Sequence, residues 1–283
     1  MNNSGSPESV LEQGDDFFVW PKNPGRKERL PMCCFTGSVD YVKSTQIFAR
    51  DSGQGKQYLV YDMDYAAKDE LAMVLPLPVP PHTAEDAVRF IDLEGSPNFF
   101  TDLLKLFAVP SLVSSGSALG GVHTRRLAVI DVGAFEASFV PTIADFERLD
   151  EKFRLPSGVW DSLPQYKQFG FAVFKLRKKV ATGRGYIKKH PMAFEFPRTN
   201  PNHLFFPTVH IHDGKFHPRA KFDHSLYAQL ELGALNRLEN WKKSHYLAGV
   251  FIDVDEYQGL VDENAHVFVQ KVRGMRQNQD FYV

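Results

Sequence analysis

The chain has 283 residues, with 33 Lys and Arg against 34 Asp and Glu, so its formal net charge is −1. Apolar residues make up 43% and charged residues 24%, a balance typical of globular proteins that excludes wholesale disorder. Cys33 and Cys34, the two cysteines, are too few for a disulfide scaffold. The length suffices to bury a large core, in one large domain or two small ones.

The first 31 residues are rich in Ser, Gly, Pro and Asn, and we expect residues 1–31 to form a flexible tail. They carry neither the basic start nor the apolar core of a secretory signal, and no run in the chain is long and apolar enough to span a bilayer. With free thiols, these features predict a cytoplasmic protein with no membrane partner. The short apolar stretch from Phe17 to Trp20 is a candidate for docking on the folded part.

Strand patterns begin after the cysteines. Residues 45–49 and 57–65 flank the turn sequence Asp-Ser-Gly-Gln-Gly, which predicts a β-hairpin. Residues 71–77 are apolar on both faces and are followed by a run of prolines. This pattern predicts a central strand that ends where proline can no longer donate to its neighbour.

Helical patterns follow these strands. Thr83, Asn98 and Thr142 are candidate N-caps of three helices, because a side-chain oxygen there can accept a hydrogen bond from the first turn. A further short helix is expected through Trp160. Residues 110–122 are rich in Ser and Gly and give the best internal boundary.

A second group of strands is expected nearer the C-terminus. It comprises residues 127–132, 135–140, 169–176, 192–196, 204–212, 226–230, 246–252 and 267–272. Strands grouped apart from helices predict an α+β fold with mostly antiparallel sheets and the helices grouped on one side. Residues 32–283 are expected to form a single domain, and the alternative is two similar β/α subdomains divided near 110–122.

Charge is segregated along the chain. Residues 51–102 carry ten acids and three bases, whereas residues 167–221 carry twelve bases and two acids. Bases interleaved with Phe and Tyr predict a binding face for an anionic partner, nucleic acid included. The candidate binding residues are Lys178, Lys179, Arg184, Lys188, Lys189 and Arg219. The alternative is that the basic and acidic segments face each other or the solvent.

The adjacent cysteines allow three interpretations. They are two small buried apolar residues, two soft metal ligands, or the source of a thiolate nucleophile. Met32 precedes Cys33, so removal of the preceding chain would free a cysteine whose α-amine can act as its own base.

The spacing of Cys34 and Arg50, 16 residues apart, resembles the start of the choloylglycine hydrolase family. That resemblance implies a cysteine-dependent amide hydrolase of the N-terminal nucleophile type, with Cys33 or Cys34 as nucleophile and with Arg50 and either Asp51 or Asp62 in support. The sequence departs from the pattern at two points. Cys33 would be the terminal residue after removal of the methionine, and Gly53 stands where the family carries an aspartate.

A pair of histidines, His210 and His212, lies in a predicted strand. Residues two apart share one face of a strand, so both imidazoles could bind one metal ion, with zinc as the candidate. The glutamate that a cupin would place three or four residues later is missing. Two surface histidines are the alternative, and no other cofactor is expected.

A longer series of motifs resembles an uncharacterised bacterial domain family whose members carry a "WVLPVP" core. The motifs are LAMVLPLPVPP at 71–81, VGAFEASFV at 132–140, FGFAVFKL at 169–176 and HPMAFEFP at 190–197. The resemblance covers residues 33–212 and implies a fold rather than an activity. Two functions are therefore expected, in this order: a binding or scaffolding domain for an anionic partner, and a cysteine-dependent amide hydrolase.

Overall fold

A computed structural model describes residues 34–36, 39–67, 70–108, 130–133, 135–176, 190–211, 215–230, 238 and 240–283. In this part of the chain the secondary structure consists of strands β1 to β14, helices α1 and α2, and short 3₁₀ turns. The strands are β1 (Cys34–Phe35), β2 (Val39–Gly53), β3 (Lys56–Ala67), β4 (Leu71–Leu77), β5 (Arg89–Ile91), β6 (Ile130–Val132), β7 (Phe135–Val140), β8 (Gly170–Leu176), β9 (Met192–Pro197), β10 (Phe205–Phe206), β11 (Arg219–Gln229), β12 (Lys242–Leu247), β13 (His266–Gln277) and β14 (Phe281–Tyr282). The helices are α1 (Phe99–Lys105) and α2 (Ser157–Asp161).

The expected α+β fold with helices grouped on one side is wrong, because the described chain is mostly β. Helices α1 and α2 have only 7 and 5 residues and form no helical layer. The helix expected after Thr83 is instead a series of turns leading into β5, whose residues pair with β9. The helix expected after Thr142 is a 3₁₀ turn. Pairing with a distant strand and packing on a sheet outweigh the local helical pattern in these segments.

Two large sheets make up the architecture. The five-stranded sheet has the order β1-β4-β8-β7-β6, and the seven-stranded sheet has the order β12-β13-β11-β2-β3-β9-β5. Strands β10 and β14 form a separate two-stranded sheet. Neighbouring strands in the described ranges run antiparallel, except that β2 runs parallel to β11.

The expected hairpin at 45–65 is confirmed as β2 and β3. Its turn uses Gly53, Gln54 and Gly55, all with positive φ, a conformation that glycine adopts without steric cost. The central strand expected at 71–77 is confirmed as β4, which is buried along its whole length between β1 and β8.

Both faces of each large sheet are buried. Ile47 on β2 and Met73 on β4 belong to one apolar cluster, which fills the space between the two sheets. Their sequence neighbours Phe48 and Val74 point the opposite way, because side chains alternate across a strand. Phe48 packs with α1 on the outer face of the seven-stranded sheet, and Val74 packs with α2 on the outer face of the five-stranded sheet.

Several boundaries differ from those expected. The strand expected at 204–212 is reduced to β10, and its last described residue, Ile211, forms isolated bridges. Strand β11 begins at Arg219, well before the expected residue 226, and β14 was not expected at all. The tail at 1–31 and the boundary near 110–122 both lie outside the described residues. Neither helix of the described chain has the length and apolar character needed to cross a membrane.

Candidate binding site

A surface groove lies where the ends of several elements meet. It consists of two adjoining cavities of about 260 and 770 Å³ that share Phe169 and Tyr282. We call these two cavities together the Phe169 groove. The smaller cavity is lined chiefly by Pro78, Pro81, Phe169, Asn200, Phe205 and Tyr282. The larger is lined chiefly by Gln165, Tyr166, Phe169, Gln279, Asp280 and Tyr282.

The register of β4 with β8 determines the position of one side of the groove. Leu77 pairs with Gly170, so the proline run after β4 and Phe169 before β8 emerge at the same end of the sheet. Gly170 is required there, because a Cβ atom at this position would lie 2.5 Å from Cε2 of Phe139. The close approach of the Phe139 ring therefore fixes the backbone beside Phe169.

The pairing of β10 with β14 determines the position of the other side of the groove. Phe205 pairs with Tyr282, and their ring centroids lie 5.0 Å apart. Leu204 and Val283 extend the pairing, with N–H to carbonyl distances of 2.8 and 3.0 Å. The Tyr282 side chain is nevertheless 52% exposed. A large aromatic ring is thus held on a fixed backbone and presented to solvent.

A buried arginine holds the loop that closes the smaller cavity. The Arg198 side chain is only 3% exposed and forms an ion pair with Asp51. Its Nη1 donates to the carbonyl oxygen of His203 at 2.9 Å. The N–H of Thr199 donates to the carbonyl of Pro78 at 2.7 Å, which ties this loop to the proline run. Arg198 is therefore a structural cation whose charge Asp51 compensates.

A hydrogen-bonded carboxyl group forms the floor of the larger cavity. The hydroxyl of Tyr166 donates to Oδ2 of Asp280 at 2.6 Å, and the N–H groups of Thr208 and Val209 donate to Oδ1 at 2.8 and 3.1 Å. Removal of the carboxylate from solvent raises the pKa of Asp280 to about 6, although these three donors act in the opposite direction. The same burial raises the pKa of Tyr166 well above its usual value.

Exposed bases lie close in sequence or in strand register to residues that line the larger cavity. Lys167 lies in sequence between two groove residues and is exposed. Arg219, also exposed, pairs across the sheet with Gln277, two residues before Gln279 of the groove. Arg276 is exposed on the same strand as Gln277. The groove therefore combines aromatic and proline surfaces with the Asp280 carboxyl group at the floor of its larger cavity, and exposed bases lie close by in sequence and register.

The candidate nucleophile Cys34 is buried in β1. Its side chain is 3% exposed, and its thiol donates to the carbonyl oxygen of Val209 at 3.6 Å. The backbone of Cys34 bridges to Ile211 and pairs with Val74 of β4. This environment is that of a small apolar core residue. Cys33 lies outside the described residues, so nucleophilic attack by Cys33 remains a prediction.

Arg50, the candidate supporting residue, holds a turn. Its Nε donates to the carbonyl of Leu260 at 3.0 Å and its Nη2 to that of Gly259 at 2.7 Å. The guanidinium carbon lies 5.2 Å from the ring centroid of Tyr58, a cation–π contact. Burial lowers the pKa of Arg50. The side chains of Arg50 and Cys34 thus contact separate segments and are not brought together as one site.

Of the proposed zinc ligands, His210 is described and His212 lies outside the described residues. His210 is 1% exposed, and its ring lies 4.3 Å from that of Phe222 and 5.1 Å from that of His224. His224 was not among the predicted metal ligands. Side chains alternate along β11, which puts His224 on the same face as Phe222, and this was the only sequence signal that could have identified it. Burial lowers the pKa of His224 to about 3, so this imidazole is neutral.

Within the described residues, no group of three or more His, Cys, Asp or Glu side chains is arranged to hold a metal ion. The zinc site therefore remains a prediction. Of the candidate basic residues, Arg219 is exposed at the start of β11, and the other five lie outside the described residues. The groove itself draws Phe169, Arg198, His203 and Phe205 from the basic-aromatic stretch 167–221. Tyr282, in the two-residue strand β14, and Asp280, directly before it, were missed, because so short a strand has no recognisable pattern.

No family model matches the chain, and no curated protein matches it. Several solved structures are similar. The crystal structure of baculovirus p35 has 12% sequence identity and a TM-score of 0.43, over 88% of this chain and 98% of that one. The crystal structure of the caspase-8/p35 complex has 10% identity and a TM-score of 0.43, over 85% and 95% of the two chains. A mutated baculovirus p35 after caspase cleavage has 12% identity and a TM-score of 0.39, over 84% and 96%.

Proposed function

We propose that this protein is a binding module and that the Phe169 groove receives an extended peptide segment. The segment would carry an aromatic or proline anchor next to acidic residues. The observation that supports this most directly is Tyr282, which is 52% exposed while its backbone is fixed by pairing with Phe205. A preorganised, exposed aromatic ring loses little side-chain entropy when a partner covers it.

The groove lining supports a peptide ligand. Its apolar side consists of Pro78, Pro81, Phe169 and Tyr282, which offer flat surfaces for an aromatic or proline side chain. Amide side chains at the edge, such as Asn200, offer donors and acceptors to a peptide backbone. Aromatic floors with polar edges are typical of grooves that bind extended segments.

The charge near the groove supports an acidic ligand. Exposed Lys167 lies in sequence between two groove residues, and exposed Arg219 pairs with Gln277, two residues before Gln279 of the larger cavity. Opposite charges would speed association and select against basic segments. The sequence predicts an anionic partner, and we propose that this partner binds at the groove.

The test is fluorescence anisotropy with a labelled octapeptide in which two aspartates precede a Phe-Val-Trp-Pro anchor. In a background in which Phe17, Phe18 and Trp20 are replaced by Ser, so that no aromatic segment of the chain itself competes, we expect Tyr282→Ala to weaken binding by about thirtyfold, since truncation of an aromatic anchor costs about 2 kcal/mol. Phe251→Ala is the matched control, because Phe251 is also an exposed aromatic side chain, 37% exposed, but does not line the groove.

Charge is tested with a second peptide in which lysines replace the aspartates. We expect weaker binding of this peptide, and weaker binding of the acidic peptide as ionic strength rises from about 0.05 to about 0.5 M. The proposal fails if Tyr282→Ala and Phe251→Ala change the affinity equally, or if the two peptides bind alike.

A further inference from the structure

Cys34, from which the preceding chain extends, lies beside the Phe169 groove. The thiol of Cys34 lies 3.6 Å from the carbonyl oxygen of Val209, and the N–H of Val209 lies 3.1 Å from Oδ1 of Asp280. Asp280 and its partner Tyr166 both line the larger cavity. One residue, Val209, therefore separates Cys34 from the floor of the groove.

The sequence before Cys34 contains a segment with the chemistry expected of a ligand for this groove. Residues 15–21 read Asp-Asp-Phe-Phe-Val-Trp-Pro. The three aromatic side chains and the proline match the aromatic and proline floor around Phe169 and Tyr282. The two aspartates carry charge opposite to that of two exposed bases: Lys167, which follows Tyr166 of the larger cavity in sequence, and Arg219, which pairs with Gln277, two residues before Gln279 of that cavity.

The length of the connection permits intramolecular binding. Thirteen residues separate Trp20 from Cys34. An extended chain advances about 3.3–3.6 Å per residue, so this connection can cover about 45 Å, more than the groove requires. A short tether also raises the effective concentration of the segment at the groove to the order of millimolar.

We infer that residues 15–21 bind in the Phe169 groove of the same chain and compete with any external ligand. The inference rests on the proposed function, since it assigns an occupant to the same site. Phe17, Phe18 and Trp20 supply the anchors, and Asp15 and Asp16 face the bases near the larger cavity. An external acidic-aromatic peptide then binds only to the fraction of molecules whose own segment has left the groove.

The experiment uses the full chain and a variant in which Phe17, Phe18 and Trp20 are replaced by Ser. The probe is a fluorescein-labelled peptide with the sequence of residues 14–22, and its affinity for both proteins is measured by anisotropy. We expect the triple variant to bind the probe at least about tenfold more tightly, because its own segment no longer competes. Adding Tyr282→Ala to the triple variant should remove most of this binding.

Two outcomes separate this inference from the proposed function. Equal affinity of the probe for the unmodified chain and the triple variant, with a strong effect of Tyr282→Ala in both, would overturn the inference and leave the groove as a peptide site. Binding of the probe to neither protein would overturn both. A photoreactive benzoylphenylalanine at position 20 gives a second readout, with cross-links expected at Phe169 or Tyr282 within one chain. Cross-links confined to other surfaces would overturn the inference.

Discussion

The side chain of Gln57 acts as a strand partner for the backbone of Phe205. Its Nε2 donates to the carbonyl oxygen of Phe205 at 2.7 Å, and its Oε1 accepts from the N–H of Phe205 at 2.9 Å. The buried amide on β3 thereby fixes β10, which forms one wall of the groove through its pairing with β14. Asn278 makes the same two bonds with the backbone of His210.

Gln57→Leu should destabilise the protein strongly. Leucine is similar in size but leaves both the N–H and the carbonyl of Phe205 buried and unpaired, at a cost of about 1–3 kcal/mol for each group. The free energy of unfolding measured in urea should therefore fall by about 2–5 kcal/mol. Gln277→Leu, at an exposed glutamine of β13, is the control and should change it by less than about 0.5 kcal/mol. Equal effects at the two positions would contradict this role for Gln57.

Asp280→Asn should change the pH dependence of stability. The pKa of Asp280 is raised to about 6 in the folded protein, whereas an unfolded aspartate titrates near 3.9. The folded state therefore holds this proton more tightly, and this carboxyl lowers the free energy of unfolding as pH rises from about 4 to about 6. The stability of the unmodified protein relative to Asp280→Asn should fall across this range and stay level above it. A difference that is constant from pH 4 to pH 7 in urea titrations would contradict the assignment.

Arg50→Ala should loosen the turn at 253–260. Arg50 donates to the carbonyls of Gly259 and Leu260, and hydrogen bonds from a charged group contribute about 1.5–3 kcal/mol. The free energy of unfolding should fall by about that amount, and amide hydrogen exchange should quicken first in this turn. Arg50→Lys should recover only part of the loss, because a lysine lacks the planar fork that spans two acceptors. Unchanged exchange in the turn would rule out this role.

Gly170→Ala should strain the groove end of β8. The added Cβ would lie 2.5 and 2.6 Å from two ring atoms of Phe139, and relief of such overpacking costs about 1–3 kcal/mol. The matched control is Gly95→Ala, where a Cβ would meet nothing within 4 Å. Thermal unfolding should show a lower midpoint only for the first variant. The same variant should weaken peptide binding, because Phe169 adjoins the strained residue.

The parts of the fold that local sequence encodes were predictable. The hairpin of β2 and β3 depends on the turn at 53–55, and β4 depends on a run of apolar residues that needs burial on both faces. The segment after Thr83 was not predictable, because β5 depends on pairing with β9, more than a hundred residues later. A hydrophobic pattern that spans a few residues contains no information about a pairing strand so distant in sequence.

The candidate site was predictable only in composition. The stretch 167–221 supplies Phe169 and Phe205 to the groove, but its role in binding an anionic partner remains a prediction. The groove also needs the proline run at 78–81 and the short strand β14, which only the register of β4 with β8 and of β10 with β14 brings together. The stacking of His210 on His224 is likewise set by tertiary packing rather than by the spacing of histidines along the chain.

The parallel pairing of β2 with β11 constrains the order in which the protein can fold during synthesis. Ala49 lies opposite Ala228, in the middle of the seven-stranded sheet. While the ribosome makes the intervening residues, the hairpin of β2 and β3 has an unpaired edge that only β11 later covers. Such an edge can pair with another chain, so the nascent protein is vulnerable to aggregation until β11 has left the ribosome. We therefore expect slow refolding and a strong benefit from chaperones that shield strand edges.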